Sequence, residues 1–235
     1  MRRYFSLKLK VLFLCLLSIS AFSNAAVVSV MGDDVVFTYD DATQFGTATV
    51  VGNSIFFFNP VFNATSVGTA GTVIDTDFVA ITIETKQDSD FVMDNFTLFE
   101  LGDYDLDGDS ASVSADAQLI VSSLTGACPF PCTMSNVFSA GALTTQGALT
   151  EWQINGGLDL DNDSSWGEDT AVNLTIQNTL TAESTVFGDS AFIVKKTGAL
   201  GVTVSAEVPV LAAVWLFGSA LIGLISARKK RLKVA

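Results

Sequence analysis

The chain has 235 residues, with 12 Lys or Arg against 25 Asp or Glu, and it contains no His. Nine of the basic residues lie at the two ends, so residues 26–207 hold three lysines against all 25 acidic residues, a net charge of −22. This charge excludes nucleic acid as a partner, because binding a phosphate backbone requires Lys and Arg. The absence of His removes the commonest general base near neutral pH and the commonest zinc ligand.

Residues 1–25 have the pattern of a secretory signal peptide. Four positive charges precede the apolar run VLFLCLLSISAF, and Ser23 and Ala25 are the small residues that a signal peptidase reads. The run is short for a membrane-spanning helix, which needs about 20 apolar residues. We therefore expect export through the Sec translocon and cleavage by signal peptidase after Ala25.

Alternating apolar and polar residues dominate the middle of the chain, as in the segments 79–83, 113–121 and 171–180. One face of the last segment carries four apolar residues and one amide: Val172, Leu174, Ile176, Asn178 and Leu180. Such alternation is typical of strands with one wet face. The pattern predicts an all-β fold over residues 26–206, an antiparallel β-sandwich of jelly-roll or Ig-like type. Residues 197–207 fit either a last strand or a short linker.

An acidic stretch follows Gly102, with a carboxylate at every second position: Asp103, Asp105, Asp107 and Asp109. With Gly108 at the sixth position, this resembles the first half of an EF-hand calcium loop. Ser114 stands where that loop has a bidentate Glu, so the pattern is not an EF-hand. Two interpretations remain, a calcium turn on a β scaffold and a solvated acidic loop between a strand that ends at Leu101 and one that begins near Ala111. Calcium is the one cofactor that the sequence suggests.

A second acidic cluster repeats the spacing without the glycine, at Asp159, Asp161 and Asp163, and it precedes Trp166. An indole in an exposed acidic loop could stack on a sugar ring. We therefore consider Trp166 as a carbohydrate platform, whereas Trp152 lies in a strand-like run and is expected in the core.

Two cysteines remain after signal cleavage, Cys128 and Cys132, in the segment CPFPC. In an oxidising compartment an even pair indicates a disulfide. A redox-active or metal-binding pair is the alternative, although the spacing is not CxxC.

Enzyme chemistry has little support in the sequence. Paired carboxylates would suit a glycoside hydrolase, but with so many acids some pair lies at a suitable separation by chance. No GxSxG elbow accompanies the serines, and no His is present to serve as their base. We expect a non-enzymatic protein.

The C-terminal segment begins with 20 uncharged residues, 208–227, long enough as a helix to cross a bilayer. A basic cluster follows at once: Arg228, Lys229, Lys230 and Arg231. Because positive charge stays on the cytoplasmic side, the preceding domain is expected to face outward. The sequence thus predicts a single C-terminal transmembrane helix, with a buried core helix as the alternative.

This end of the chain resembles a PEP-CTERM sorting signal. Val208 and Pro209 match the start of the motif, an apolar Leu- and Gly-rich helix follows, and the basic cluster closes the segment 207–235. Leu211 stands where many members have a second Pro, and Val210 where others have Glu. The resemblance implies recognition by an exosortase in the membrane of a Gram-negative bacterium that makes exopolysaccharide, with cleavage near Pro209.

The sequence therefore predicts an exported protein that is held briefly in the inner membrane, processed by an exosortase, and delivered to the cell surface or the exopolysaccharide matrix. The alternative is a calcium-dependent carbohydrate-binding or adhesion module. The partners implied are the export machinery, the exosortase, the membrane and an exopolysaccharide.

Overall fold

The computed structural model describes residues 26–58, 60–87, 91–126, 132–160, 166 and 169–206. These residues form twelve strands and contain no helix that could cross a membrane. The strands are β1 (Val27–Met31), β2 (Val35–Asp40), β3 (Thr47–Val51), β4 (Ser54–Phe58), β5 (Asn63–Val67), β6 (Gly71–Thr85), β7 (Phe91–Asp107), β8 (Ser112–Ser123), β9 (Thr133–Ser139), β10 (Thr150–Asp159), β11 (Ala171–Ser184) and β12 (Ser190–Ala206).

The strands form two antiparallel sheets. Sheet A has the order β1-β2-β6-β11-β8-β9, and sheet B has the order β10-β7-β12-β4-β3. The short strand β5 also pairs with β12, so that β5 and β4 follow one another along the same edge of that long strand. Consecutive strands β11 and β12 belong to different sheets, and the chain therefore crosses between the sheets at residues 185–189.

The sheets pack face to face because each has an apolar inner face. Along β11 every second side chain is buried, as the alternation in the sequence predicts. Leu174 and Ile176 of sheet A lie in the same hydrophobic core as Ile193 and Leu200 of sheet B. The prediction of an all-β fold with two antiparallel sheets is confirmed. Jelly-roll or Ig-like topology stays a prediction, and so does the C-terminal transmembrane helix, which lies outside the described residues.

A β-bulge sets which side chains of β12 point inward. The pairing of β12 with β7 shifts register between Lys195 and Thr197, which leaves Lys196 as the extra residue. Before the bulge the inward positions include Ile193 and Lys195, and after it they include Leu200. Without the extra residue the alternation would turn Leu200 toward solvent. The bulge therefore keeps the second half of β12 in the core.

Trp152 of β10 reaches across β7 to the bulged strand. Its indole Nε1 donates a hydrogen bond to the carbonyl oxygen of Val194 at 3.2 Å. Gly102 lies beneath the ring, and a Cβ there would collide with both the indole and the Val194 oxygen. The glycine therefore permits this contact, and the prediction that Trp152 belongs to the core is confirmed.

Residues 197–206 form the end of β12. They pair with β7 as far as Ala206, opposite Phe91. Of the two interpretations of this segment, the last strand is the one that the structure shows.

Candidate functional site

Three polar side chains meet in the core between the sheets. Lys195 of β12 and Glu100 of β7 come from sheet B, and Asn178 of β11 comes from sheet A. The Lys195 Nζ donates to Glu100 Oε1 at 2.7 Å and to Asn178 Oδ1 at 2.6 Å. The Asn178 Nδ2 donates to Glu100 Oε2 at 2.6 Å. The three groups thus form a closed ring of hydrogen bonds, which we call the core triad.

The core triad is sealed from solvent. Glu100 is 0% exposed, and Lys195 and Asn178 are each 2% exposed. The Phe45 ring covers the ammonium group, with its centroid 4.2 Å from Nζ. On the other side Gly198 leaves room for the lysine, because a Cβ there would lie 3.2 Å from Nζ. No external substrate can therefore reach these groups in the folded protein.

The loop that carries Phe45 is fixed from sheet A. Asp77 of β6 accepts a hydrogen bond from the backbone N–H of Gln44, next to Phe45. Asp77 is also the register partner of Asn178 on the neighbouring strand. One acidic side chain therefore both holds the aromatic cover and contributes negative charge near the triad.

Burial dominates the electrostatics of the triad. Desolvation lowers the pKa of Lys195 below its usual value, and the charges of Glu100 and Asp77, with the hydrogen bond to Glu100, oppose this effect. An ion pair in such a place contributes little net stability, but removal of one partner alone is expensive because the other charge stays buried.

The acidic stretch at 103–109 lies mostly in a strand, so its interpretation as a loop is wrong. Strand β7 continues through Asp107, beyond the predicted end at Leu101, and only Asp109 lies in the turn that follows. Successive same-face residues on a strand are about 6.6–6.8 Å apart along the chain, which spreads their carboxylates instead of converging them. Asp103 is buried and forms an ion pair with Lys196, while Asp105 and Asp107 are exposed.

Among the described residues there is no group of three or more His, Cys, Asp or Glu that could hold a metal. Calcium binding stays a prediction for the four aspartates Asp103, Asp105, Asp107 and Asp109.

The turn after β7 packs against the loop before β12. Gly108 has a φ of 93°, and a Cβ there would collide with the carboxylate of Asp189. Asp189 Oδ2 accepts a hydrogen bond from the Ser110 backbone N–H at 2.9 Å. Hydrogen bonds from the Ser110 side chain and backbone lower the pKa of Asp189. This carboxylate fixes a turn.

Trp166 is buried, with 3% of its surface exposed, and belongs to the hydrophobic core. Its assignment as an exposed carbohydrate platform is therefore wrong. The acidic neighbours suggested a solvated loop. The indole is a large apolar group, however, and its burial in the core is favourable. The nearby Asp161 and Asp163 lie outside the described residues.

Asp169 is a buried carboxylate at the start of β11. Its Oδ1 accepts hydrogen bonds from the hydroxyl groups of Ser123 and Thr125, while Oδ2 has no hydrogen-bond partner among the described residues. The backbone carbonyl of Asp169 accepts from the Met93 N–H at 2.9 Å, which joins the two sheets at this end.

Several predicted site residues are described in part or not at all. Cys132 is disulfide-bonded. Cys128, its predicted partner, lies outside the described residues, as do the sorting motif at Val208 and Pro209 and the basic cluster at 228–231. Their roles stay predictions.

The outer face of sheet B carries exposed aromatic side chains. Phe56 and Phe58 of β4 stack with ring centroids 6.2 Å apart and planes within 9°. Ala199 of β12 pairs with Phe56 on one side and with Phe99 of β7 on the other, so these residues share one row across the sheet. Phe58 lies two positions further along the same face of β4, opposite Thr197, and Phe56 is half-buried. We call Phe56, Phe58 and Phe99 the aromatic row.

No protein-family model matches the chain, and no curated protein matches it. Similar solved structures include infectious bursal disease virus, Gx strain, at 11% identity and a TM-score of 0.39. The alignment covers 79% of this chain, which spans 38% of the viral chain.

Two carbohydrate-active proteins are also similar. TmCBM61, solved in complex with beta-1,4-galactotriose, has 13% identity and a TM-score of 0.24, with 79% of this chain and 90% of that chain covered. Endoglucanase 3 of Trichoderma harzianum, from family GH12, has 7% identity and a TM-score of 0.24, with coverage of 79% and 100%. Similarities this weak concern the fold alone and carry no functional argument.

Proposed function

We propose that the protein is a non-enzymatic structural component of the bacterial cell surface or exopolysaccharide matrix. In this account residues 1–25 direct export, residues 26–206 form the delivered domain, and residues 207–235 hold it in the membrane until an exosortase cuts near Pro209. The observation that carries the structural role is the sealed core triad. Its lysine, amide and carboxylate face each other and are inaccessible to any external substrate.

The charge of the domain supports the same role. With a net charge of −22 over residues 26–207, the domain repels its own copies and stays soluble outside the cell. A surface with so many negative charges also attracts divalent cations. In an exopolysaccharide matrix the same cations would bind the polysaccharide.

Deletion of residues 208–235 tests the sorting role. We expect the truncated chain to lose its membrane-held stage and to appear free in the periplasm or medium, because the apolar segment and its basic stop are gone. The readout is cell fractionation together with the mass of the recovered chain. Pro209→Ala is the matched control, since it keeps the membrane segment and should leave unprocessed chain in the membrane fraction. The sorting role would be refuted if both variants kept the wild-type location and the Pro209→Ala chain also had the wild-type mass.

Carbohydrate binding is the second candidate, and the aromatic row favours it. Flat rings on the outer face of a sheet offer the apolar surface on which sugar rings stack. Phe58 is 43% exposed and Phe99 is 38% exposed, so both are accessible.

Affinity electrophoresis in gels that contain exopolysaccharide tests this candidate. The wild-type chain should be retarded, and Phe58→Ala with Phe99→Ala should remove most of the retardation. Phe78→Ala is the control, because Phe78 is 58% exposed on the outer face of sheet A. A parallel gel that contains a calcium chelator separates the two modes of binding. Calcium-dependent retardation should disappear in it, whereas retardation by direct stacking should remain. Equal mobility of the wild-type and double-variant chains counts against carbohydrate binding at this row.

A further inference from the structure

An amine, a carboxamide and a carboxyl group are in mutual contact inside the core triad, and all three residues are buried. The Lys195 Nζ lies 2.6 Å from the Asn178 Oδ1, and both residues contact the Glu100 carboxylate. We propose that Lys195 and Asn178 become joined by an intramolecular amide bond between Nζ and Cγ, with Glu100 transferring the protons. The reaction needs no cofactor and is independent of the envelope role.

The lysine is placed to become a nucleophile. A lysine attacks only as the neutral amine, and desolvation in an apolar site favours that form. Burial lowers the pKa of Lys195 in this way. The proton has a nearby acceptor, since Glu100 Oε1 lies 2.7 Å from Nζ. Transfer along this hydrogen bond replaces a buried ion pair with a neutral amine and a neutral acid.

The amide of Asn178 is placed as the electrophile. Its Cγ lies one C=O bond, about 1.23 Å, beyond the oxygen that contacts Nζ. The distance between Nζ and Cγ is therefore close to the separation of about 3–3.5 Å that reacting atoms require. The leaving nitrogen, Nδ2, contacts Glu100 Oε2 at 2.6 Å, so that the carboxyl group spans both the attacking and the leaving nitrogen.

The atoms and charges of the step balance. The ammonium of Lys195 gives one proton to the Glu100 carboxylate, and the Nζ lone pair then forms a bond to Asn178 Cγ, which becomes tetrahedral with the negative charge on Oδ1. A second proton passes from Nζ through Glu100 to Nδ2. Collapse of the intermediate re-forms the C=O bond and breaks the Cγ–Nδ2 bond, and ammonia leaves. Lys195 keeps one N–H in the new amide, and Glu100 ends as the neutral acid.

The surroundings favour this product. The reaction removes one positive and one negative charge from the core, where each is expensive to keep. Ammonia escapes to water and is protonated there, which opposes the reverse reaction. Phe45 and Gly198 confine the lysine to a single approach, so the reacting groups are held in place before the step.

The cross-link has a structural consequence. Asn178 lies on β11 of sheet A and Lys195 lies on β12 of sheet B, 17 residues apart in the chain. An amide bond between them would join the two sheets covalently through the centre of the core. It would resist reduction, unlike the disulfide at Cys132.

Peptide mapping of the full wild-type chain tests the proposal. Glu183 lies between Asn178 and Lys195, so a protease that cleaves after Glu separates the segment 169–183 from the segment 184–207. We expect one branched peptide that contains both segments, with a mass lower than their sum by one ammonia. Recovery of the two segments as separate peptides, with an unmodified Lys195, would overturn the proposal. Loss of ammonia without a branch would also overturn it, since Asn178 would then have closed on its own backbone.

Three variants sharpen the test. Lys195→Arg removes the nucleophile and Glu100→Gln removes the proton acceptor, and both should give unbranched maps. Lys196→Arg alters the adjacent exposed lysine and should keep the branch. If a core variant does not fold, the wild-type map alone still decides between the two outcomes.

Discussion

Lys195→Met is expected to lower the free energy of unfolding by at least about 3–5 kcal/mol, because it leaves Glu100 buried without its cation and also prevents the proposed amide bond. Asn178 also loses the donor to its Oδ1. The methionine fills similar volume, so the loss does not arise from a cavity. Urea unfolding followed by circular dichroism measures it.

The neighbouring lysine supplies the control for this prediction. Lys196→Met removes an ammonium that pairs with Asp103, and because the Lys196 side chain is 53% exposed we expect a smaller loss than for the fully buried Lys195. Simultaneous replacement of Lys195 by Met and of Glu100 and Asn178 by Leu should recover the part of the loss that comes from the unpaired charge, since no charge then stays unpaired. Equal effects of the two single lysine variants would contradict the burial of the triad.

Phe57→Ala is expected to cost about 3–5 kcal/mol of unfolding free energy, the usual range for a buried phenylalanine. Its ring is buried and packs edge-on against Tyr39 and Phe45, with centroids 6.0 Å and 5.6 Å away. Because Phe45 covers Lys195, the cavity should also loosen the seal over the triad. Urea unfolding measures the first effect, and native-state hydrogen exchange at the backbone N–H of Phe45 measures the second.

Phe58→Ala is the matched control, one residue along the same strand. Its side chain faces outward, and surface substitutions usually change stability by about 0.5 kcal/mol or less. Hydrogen exchange at the Phe45 backbone N–H should stay at the wild-type rate in this variant. A Phe58→Ala loss as large as that of Phe57→Ala would mean that the inner and outer faces of β4 are assigned the wrong way round.

Alternation in the sequence predicted the class of fold because two-residue periodicity directly reflects a strand with one buried face. It also placed Asn178 among the apolar residues of 171–180. The inward position of Lys195 was missed, although before the bulge Lys195 alternates in step with Ala191 and Ile193 and so lies on the same face of the strand. A charged residue on an apolar face is a signal only when its partner is known, and Glu100 comes from a strand almost a hundred residues away.

The two acidic clusters show where composition misleads. The Asp-rich stretch after Gly102 has the residues of a loop, yet β7 continues through it because it is paired on both sides, with Glu151 of β10 and Val194 of β12 opposite Asp103. Trp166 lies among acidic residues and is nevertheless buried. In both cases contacts with distant strands override local preference, and such contacts cannot be read from one sequence.

Terminal peptide analysis of the wild-type chain recovered from its host tests whether the domain is exported and its tail removed. We expect a chain in the surface or matrix fraction that begins at Ala26 and lacks the basic peptide at 228–231. A chain in the cytoplasm that retains both its first 25 residues and its basic end would contradict it.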